Sequence, residues 1–135
     1  MRADRFVPGR TYRRSELHDQ FGGNRQKGIS SPARADFAML FTGRGHEFGY
    51  PDEEIDTDTF DYSGEGLIGD MSFTAGNQAI IDRSPNLHLF ETLGGGIVKY
   101  VGLFKHASHR FVTGKGTDHQ DRKVILFRLE RVVED

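Results

Sequence analysis

The sequence predicts an α+β fold in which a curved β-sheet or barrel is flanked by short helices. Three observations support this class. Apolar runs of strand length recur along the chain, 17 glycines among 135 residues provide turns between them, and only two short segments have helical spacing. The sequence contains no internal repeat, low-complexity tract or linker. We therefore expect a single domain that spans residues 1–135.

Two short segments carry the spacing and the boundary residues of α-helices. Ser15 is placed to cap the first helix, in which Leu17 and Phe21 lie four residues apart on one face before a double glycine ends it. The second helix begins near Asn77, whose side-chain amide can either cap the helix or hold the preceding glycine turn, and it ends before Pro85. Of the two roles, we favour capping.

The strands are predicted from apolar runs that end in turn residues. Residues 36–43 form a continuous apolar run bounded by glycine, which is typical of a buried central strand. Three further strands are expected in the second half of the chain, at residues 87–92, 97–106 and 123–132. Residues 22–32 hold almost no apolar side chain besides Ile29, so we expect an exposed, mobile loop there.

The composition excludes several classes of protein. The chain has no cysteine, which excludes a disulfide framework and a Cys-ligated zinc site and suits a reducing compartment. No run approaches the roughly 18 apolar residues of a membrane span, and the first ten residues lack the apolar stretch of a signal peptide. We expect a cytoplasmic protein that has no membrane partner.

Charge is unevenly distributed, although the net charge is only −2. Residues 1–34 hold eight Lys and Arg against three Asp and Glu, residues 35–70 hold one against ten, and residues 71–135 hold nine against seven. The low net charge argues against a protein that binds nucleic acid regardless of its sequence, which is usually basic throughout. An acidic middle beside a basic arm fits a carboxylate-bearing pocket next to a phosphate-binding surface, and it equally fits an ordinary solvated loop.

The stretch of residues 48–70 has the composition of a pocket for a planar, hydrogen-bonding ring. Tyr50 and Tyr62 stand at the two ends of an acidic loop, and Ser63-Gly64-Glu65-Gly66 follows directly. Such a ring needs aromatic faces, a carboxylate that accepts from an exocyclic amine, and backbone N–H groups that glycines leave accessible. The competing interpretation is that both tyrosines are ordinary cross-strand core residues.

Cationic and polar residues at one loop are candidates for DNA contact. Arg25, Gln26 and Lys27 lie at the tip of the 22–32 loop, and Arg34 follows it. These side chains suit contacts with phosphates or entry into a groove, but the loop is as easily a solvated connection.

Other chemistries find little support. His106, His109 and His119 could ligate a metal, but no carboxylate lies between the first two, and the region has the composition of a polar, glycine-rich loop. No phosphate-binding G-x-x-x-x-G-K-[ST] motif and no G-x-S-x-G motif is present. We therefore expect neither a metal nor a cofactor, and no catalytic activity in this chain.

A series of motifs resembles the SRA (SET- and RING-associated, also YDG) domain, in the compact form of bacterial modification-dependent restriction endonucleases. The series is GGNRQKGISSP, FTGRG, GYPDE, FDYSGEG, GDM, GNQAI and KYVG, and it covers residues 7–132. The resemblance implies a curved β-barrel with flanking helices, related to PUA-like domains. It also implies that the chain binds duplex DNA and flips out 5-methylcytosine or 5-hydroxymethylcytosine.

By position, the resemblance assigns a role to each part of the pocket. The two tyrosines would sandwich the flipped base, one of two adjacent acids would accept from its N4 amine, and backbone N–H groups after the second tyrosine would meet its O2 atom. The base-binding residues are then Tyr50, Asp52, Glu53, Tyr62, Ser63 and Gly64.

The resemblance also identifies two loops around the base. Residues 23–31 would be the thumb that fills the vacated base stack. The finger, residues 67–75, is much shorter than in eukaryotic members, which argues against hemimethylated CpG specificity. We thus expect a non-enzymatic reader, the recognition part of a nuclease that could be homodimeric at full length. The alternatives are a PUA-like RNA-binding module that reads a modified or unpaired base, and a small hydrolase.

Overall fold

The computed structural model describes residues 6–25, 27–43 and 51–133. It contains an eight-stranded sheet and two short helices, which confirms the α+β class. Neither described helix is long and apolar enough to cross a membrane. The helices are α1 (Arg14–Phe21) and α2 (Ala75–Arg83). The strands are β1 (Thr11–Arg13), β2 (Ile29–Ser30), β3 (Ala38–Thr42), β4 (Glu53–Asp56), β5 (Thr59–Ser63), β6 (Leu87–Gly94), β7 (Ile97–Lys115) and β8 (Asp121–Arg131).

The sheet is mixed and open. Its strand order is β2-β3-β6-β7-β8-β5-β4, with β1 paired to the first part of β7. The β3–β6 pair is parallel and the other pairs are antiparallel. Over the described residues, the end strands β2 and β4 do not pair with each other, so the sheet does not close into the barrel that we considered as one form of the fold.

Strand β3 is buried on both faces, as its continuous apolar sequence predicts. Leu40 packs in one core cluster with Ile80 of α2, while Met39 packs in a second cluster with Leu17 of α1. Successive side chains of a strand point to opposite faces, so the two clusters lie on the two sides of the sheet. Each helix thus covers one face of the central strands.

Helix α1 begins two residues earlier than the predicted cap at Ser15 implies. Its N-cap is Arg13, whose side chain makes no capping hydrogen bond, and Ser15 lies within the first turn, so the prediction of Ser15 as the cap is wrong. Strand β1 leads directly into the helix, and the Arg14 amide donates instead to the Gly96 carbonyl at 2.8 Å. At the other end, Gly22 has a φ of +85° and ends the helix as predicted.

Strand β7 extends to Lys115, well beyond the predicted end at residue 106. It forms a long hairpin with β8, in which Lys115 pairs with Asp121. The extension carries polar side chains on both faces, so it has no apolar periodicity from which a strand could be predicted. His106 and His109 therefore lie on a strand and share a hydrogen bond of 3.0 Å. Among the described residues, no group of three or more His, Asp or Glu side chains is arranged to bind a metal.

The loop predicted at residues 22–32 is only partly exposed. Ile29 and Ser30 are buried and form β2, in which they pair with Leu40 and Met39 of the central strand. The prediction of an exposed loop thus fails for this half of the segment. The reason is that a strand of two residues is too short to show a period.

Candidate functional site

A cavity of about 800 Å³ opens beside the end of β5. It is lined by Tyr62 and Ser63 of β5, by the turn at residues 64–72, by the start of α2, and by Lys27, Gly28, Ile29 of β2, Phe41 of β3, Thr117 and Arg122. Pockets for small ligands typically measure about 300–1,000 Å³. The cavity is therefore large enough for a base together with part of its backbone.

Tyr62 is both a core residue and a wall of this cavity. It is 3% exposed and faces Phe127 across the β5–β8 pair. Its hydroxyl lies 3.0 Å from the Gly28 carbonyl and 3.1 Å from the Phe41 carbonyl, to which it donates. Burial raises the pKa of Tyr62 well above its ordinary value, and the nearby Asp52 carboxylate adds to the rise. The phenol is therefore neutral and ties the loop and β3 to β5.

Of the two candidate acids, the structure brings Asp52 to the end of β5. Its Oδ1 accepts from the Ser63 amide at 2.8 Å, and its Oδ2 accepts from the Thr42 hydroxyl at 2.5 Å. Glu53 is exposed and pairs with Asp61, so it shares a face with Asp61 rather than with Tyr62. The carboxylate beside the cavity is thus that of Asp52.

The two backbone amides expected to meet a ligand are both engaged within the protein. The Ser63 amide donates to Asp52, and the Gly64 amide donates to the Ile125 carbonyl at 2.8 Å. The acceptor at Asp52 and the donor at Ser63 are therefore hydrogen-bonded to each other. A ligand that bonds to both would have to replace this bond.

Asn77 of α2 holds the turn that follows Tyr62. It is 2% exposed, its Oδ1 accepts from the Glu65 amide at 2.8 Å, and its Nδ2 donates to the carbonyls of Glu65 and Ser72, each at 2.9 Å. The N-cap of the helix is Thr74, so the favoured role of Asn77 as the cap is wrong, and its alternative role of holding the glycine turn is confirmed. A Cβ atom on Gly64 would lie 2.7 Å from Asn77 Oδ1, so this close approach requires a glycine.

Glu65 caps α2 from outside the helix, a role that the sequence analysis missed. Its Oε2 accepts from the Gly76 amide at 3.1 Å in the first turn. A carboxylate at this position complements the helix dipole. The acid lies 11 residues from Gly76 along the chain, so no local capping pattern reveals it.

The predicted DNA-contacting side chains have different surroundings. Lys27 lines the cavity, and none of the described ion pairs includes it. Arg25 instead forms an ion pair of 2.6 Å with Asp19 on α1. Arg34 is exposed and does not line the cavity. Gln26 and Tyr50 lie outside the described residues, so their roles stay predictions.

Arg14 and His18 of α1 anchor the cavity loop, and the sequence analysis identified neither. Arg14 donates through Nη2 to the carbonyls of Asn24 and Lys27, and through Nε to His18 Nε2 at 3.0 Å. His18 Nδ1 donates to the Gly22 carbonyl at 2.9 Å, which makes the imidazole neutral. Burial lowers the pKa of His18, and the Arg14 charge lowers it further. These bonds tie the described part of the loop to the helix at Gly22, Asn24 and Lys27.

Solved structures share this fold at low sequence identity. The SRA domain of ScoMcrA, in a structure that also contains its sulfur-binding domain and phosphorothioated DNA, gives a TM-score of 0.75 at 23% identity over 96% of this chain. The SUVH5 SRA domain with hemimethylated CG DNA gives 0.70 at 20% identity, over 96% of this chain and 90% of that one. The DNA recognition domain of the cytosine modification-dependent endonuclease LpnPI gives 0.65 at 16% identity, over 92% and 72%.

These likenesses confirm an SRA fold. The chain spans 41% of the ScoMcrA chain in the first of these structures. No curated protein matches the chain by sequence. A family model described as ScoMcrA-like, SRA domain, matches residues 8–134, nearly the whole sequence. The chain therefore belongs to the ScoMcrA-like SRA domain family.

Proposed function

We propose that this chain is a DNA reader that flips 5-methylcytosine or 5-hydroxymethylcytosine out of a duplex and holds it beside Tyr62. The observation that carries the proposal is the cavity in which Tyr62 and Ser63 meet, with Asp52 bonded to the Ser63 amide. The ScoMcrA and SUVH5 structures contain DNA with a modified backbone and a modified base, respectively. Modified duplex DNA is therefore the substrate class that these neighbours support, and the SUVH5 structure supports a modified base within it.

The Asp52–Ser63 pair offers the hydrogen-bonding pattern that cytosine needs. The carboxylate is an acceptor and the amide a donor, and the two atoms lie 2.8 Å apart. The edge of cytosine presents an N4 amine beside the N3 acceptor. The base can therefore replace the hydrogen bond between Ser63 and Asp52 by two new ones, from N4 to the carboxylate and from the Ser63 amide to N3. Thymine presents the opposite pattern, with an O4 acceptor beside an N3 donor. The pair therefore selects cytosine.

The walls of the cavity suit a stacked base. The Tyr62 ring forms one wall, and Tyr50 is the residue that we expect on the other face of the base. Base stacking on an aromatic ring contributes about 1–3 kcal/mol per base. Tyr62 cannot rotate away, because its hydroxyl is bonded to the Gly28 and Phe41 carbonyls. One stacking face is thus rigid before DNA binds.

The loop at residues 23–28 is positioned to contact the duplex. It borders the cavity through Lys27 and Gly28, and Arg14 fixes its backbone. A loop tied to α1 at Asn24 and Lys27 loses less entropy when it enters the base stack, which favours its role as the thumb. Lys27 then lies beside the backbone of the flipped nucleotide, where its charge attracts phosphate.

The reader activity accounts for the whole chain as given, and we propose no catalysis by it. In a modification-dependent restriction system, a separate nuclease domain would cut the DNA that this domain marks. A cytoplasmic location on bacterial DNA and a homodimeric full-length enzyme belong to the same proposal.

A competition shift assay tests the proposed ligand. The competing duplexes differ at a single cytosine, which is unmodified, 5-methylated or 5-hydroxymethylated. Two further competitors are an unmodified duplex with one phosphorothioate linkage, as in the DNA of the ScoMcrA complex, and an RNA of the same sequence. We expect one of the C5-modified duplexes to compete best. Preference for the phosphorothioate duplex would contradict base reading, and preference for RNA would favour a PUA-like RNA-binding module.

A further inference from the structure

Arg122 is a buried cation without an acidic partner among the residues described. It lies near the start of β8, is 6% exposed and lines the cavity. A guanidinium has five N–H donors. In Arg122, Nη1 donates to the Gly69 carbonyl at 3.3 Å, and Nε is buried and has no partner. None of the described ion pairs includes this side chain.

Other arginines of the chain are bonded more fully. Arg128 makes two hydrogen bonds to the Asp61 carboxylate, at 2.6 and 3.0 Å. Arg83 donates through a single Nη1 atom to the carbonyls of Pro32, Ala35 and Phe37. A buried charge without such bonds is unfavourable, because the group has lost its hydration. Arg122 thus has the donors and the burial of a residue that binds an anion.

The Cα atom of Arg122 lies far from the ring of a base stacked on Tyr62. Arg122 precedes Phe127, the Cα partner of Tyr62, by five residues along β8. At 3.3–3.4 Å per residue, the two positions are about 17 Å apart. Both residues line the same cavity, and a flipped base is held snugly at one end of it. The Arg122 end is therefore left for the sugar and phosphate that enter with the base.

The acids of the cavity do not neutralise Arg122. Glu65 Oε2 accepts from the Gly76 amide at 3.1 Å, and Asp70 Oδ1 accepts from the Lys123 amide at 2.7 Å. Glu65 Oε1 is buried without a hydrogen-bond partner, and neither carboxylate forms an ion pair with Arg122 among the described residues.

We propose that Arg122 binds a DNA phosphate next to the flipped nucleotide, and that it does so only when the base has entered the cavity. The inference rests on the proposed function. A guanidinium matches two phosphate oxygens in a fork-like geometry. A carboxyl group at C5 of the base carries the same anionic oxygens, so the experiment includes it as a second source of the anion.

The first test measures the dependence of affinity on salt. Arg122→Met removes the charge, Arg122→Lys keeps it, and Lys99→Met is a control that removes an equal charge outside the cavity, where Lys99 faces Glu91 at 3.9 Å. On the 5-methylcytosine duplex, we expect Arg122→Met to reduce the log–log salt slope by about 0.9, the value for one lost phosphate contact. On the unmodified duplex its slope should equal that of the wild type. Arg122→Lys and Lys99→Met should keep the wild-type slope on both duplexes.

The second test locates the phosphate. Neutral methylphosphonates replace the phosphates on either side of the modified cytosine, one at a time. One replacement should lower the wild-type slope by about one and remove the difference between the wild type and Arg122→Met. If Arg122→Met does not unfold cooperatively and is therefore not folded, the methylphosphonate series is measured on the wild type and on Arg122→Lys instead. The salt slopes of both proteins should then fall by about one at the same phosphate position.

Three results would overturn the assignment. The first is an unchanged slope for folded Arg122→Met on the modified duplex, and the second is an equal loss on both duplexes. The third is a loss confined to a 5-carboxylcytosine duplex with no effect of any methylphosphonate, which would place the base substituent at Arg122. Equal binding of modified and unmodified duplexes by the wild type would instead refute the proposed function.

Discussion

Asn77 and Glu65, which both line the cavity, are joined by two reciprocal hydrogen bonds. The Glu65 amide donates to Asn77 Oδ1 at 2.8 Å, and Asn77 Nδ2 donates back to the Glu65 carbonyl at 2.9 Å. Asn77 belongs to α2 and Glu65 to the turn after β5. The two hydrogen bonds therefore join the helix to this turn. Both bonds therefore stabilise the turn in this shape.

We expect Asn77→Ala to destabilise the protein. The change leaves the Glu65 amide and carbonyl without partners in a buried setting, and each such group costs about 1–3 kcal/mol. The free energy of unfolding in urea should fall by about 2–4 kcal/mol. The neighbouring Gln78→Ala, which removes an exposed hydrogen bond to Asp82, should cost less than about 0.5 kcal/mol. Equal effects of the two substitutions would show that Asn77 does not hold the turn.

Asp52→Asn should weaken the discrimination between 5-methylcytosine and thymine. An ionised Asp52 accepts from the cytosine N4 amine but opposes the thymine O4 atom, whereas an amide can rotate its NH2 group toward O4. We expect the wild type to prefer 5-methylcytosine to a mismatched thymine by about 1–3 kcal/mol. Asp52→Asn should narrow this gap, and Glu53→Gln is the matched control. A gap narrowed by Glu53→Gln alone would assign the role to Glu53.

Substitutions of the two tyrosines should separate the contribution of base stacking to DNA affinity from the contribution of Tyr62 to protein stability. Tyr62→Phe keeps the ring but loses the hydrogen bonds to Gly28 and Phe41, so it should cost about 1 kcal/mol of stability and little base specificity. Tyr50→Ala should lower the affinity for the modified duplex by about 1–3 kcal/mol and leave binding to unmodified DNA intact. Equal losses of affinity on both duplexes would remove Tyr50 from the base-binding residues.

His18 should make stability depend on pH. Burial and the Arg14 charge lower the pKa of His18 in the folded state, so the unfolded chain binds the proton more tightly. The contribution of neutral His18 is therefore full above its ordinary pKa of about 6.5. It is lost as the pH falls from there through the lowered value. Burial also lowers the pKa of His106, which acts in the same direction.

The measurement compares the wild type with His18→Gln in urea between pH 7.5 and 5. Glutamine can bond to Arg14 and to the Gly22 carbonyl without titrating, so the variant should lose less stability on acidification. His106→Gln measures the separate contribution of His106 to the same pH profile. Parallel pH profiles of the wild type and His18→Gln would contradict the prediction.

Residue order was sufficient to predict the elements whose apolar pattern is strong. The run at residues 36–43 predicted a central strand, and β3 is buried throughout. The second helix was predicted to end before Pro85, and α2 ends at Arg83. The motifs around Tyr62 indicated the SRA resemblance, and the family model covers the same region. Periodicity and turn residues are local properties, which is why one sequence reveals them.

Elements with polar residues on both faces could not be predicted in this way. All four residues of β4 are exposed, so its sequence EEID showed only an acidic loop. The outer half of β7 is similar, and its pairing with β8 accounts for a strand of 19 residues. In both cases the segment is a strand because its backbone pairs with a neighbouring strand, and not because its side chains are buried.

The sequence by itself determined which kinds of group meet at the cavity: an aromatic ring, a carboxylate and a glycine turn. Only the tertiary structure decided which members of each kind take part. Asp52 and Glu53 are neighbours with the same chemistry, and the start of β4 places Asp52 alone on the Ser63 amide. Arg122 bonds to Gly69, 53 residues away, so its place in the cavity depends on how the turn at residues 64–72 packs against the start of β8. Local patterns carry no record of contacts between backbone segments so distant in the chain, because such contacts form only when the sheet brings the segments together.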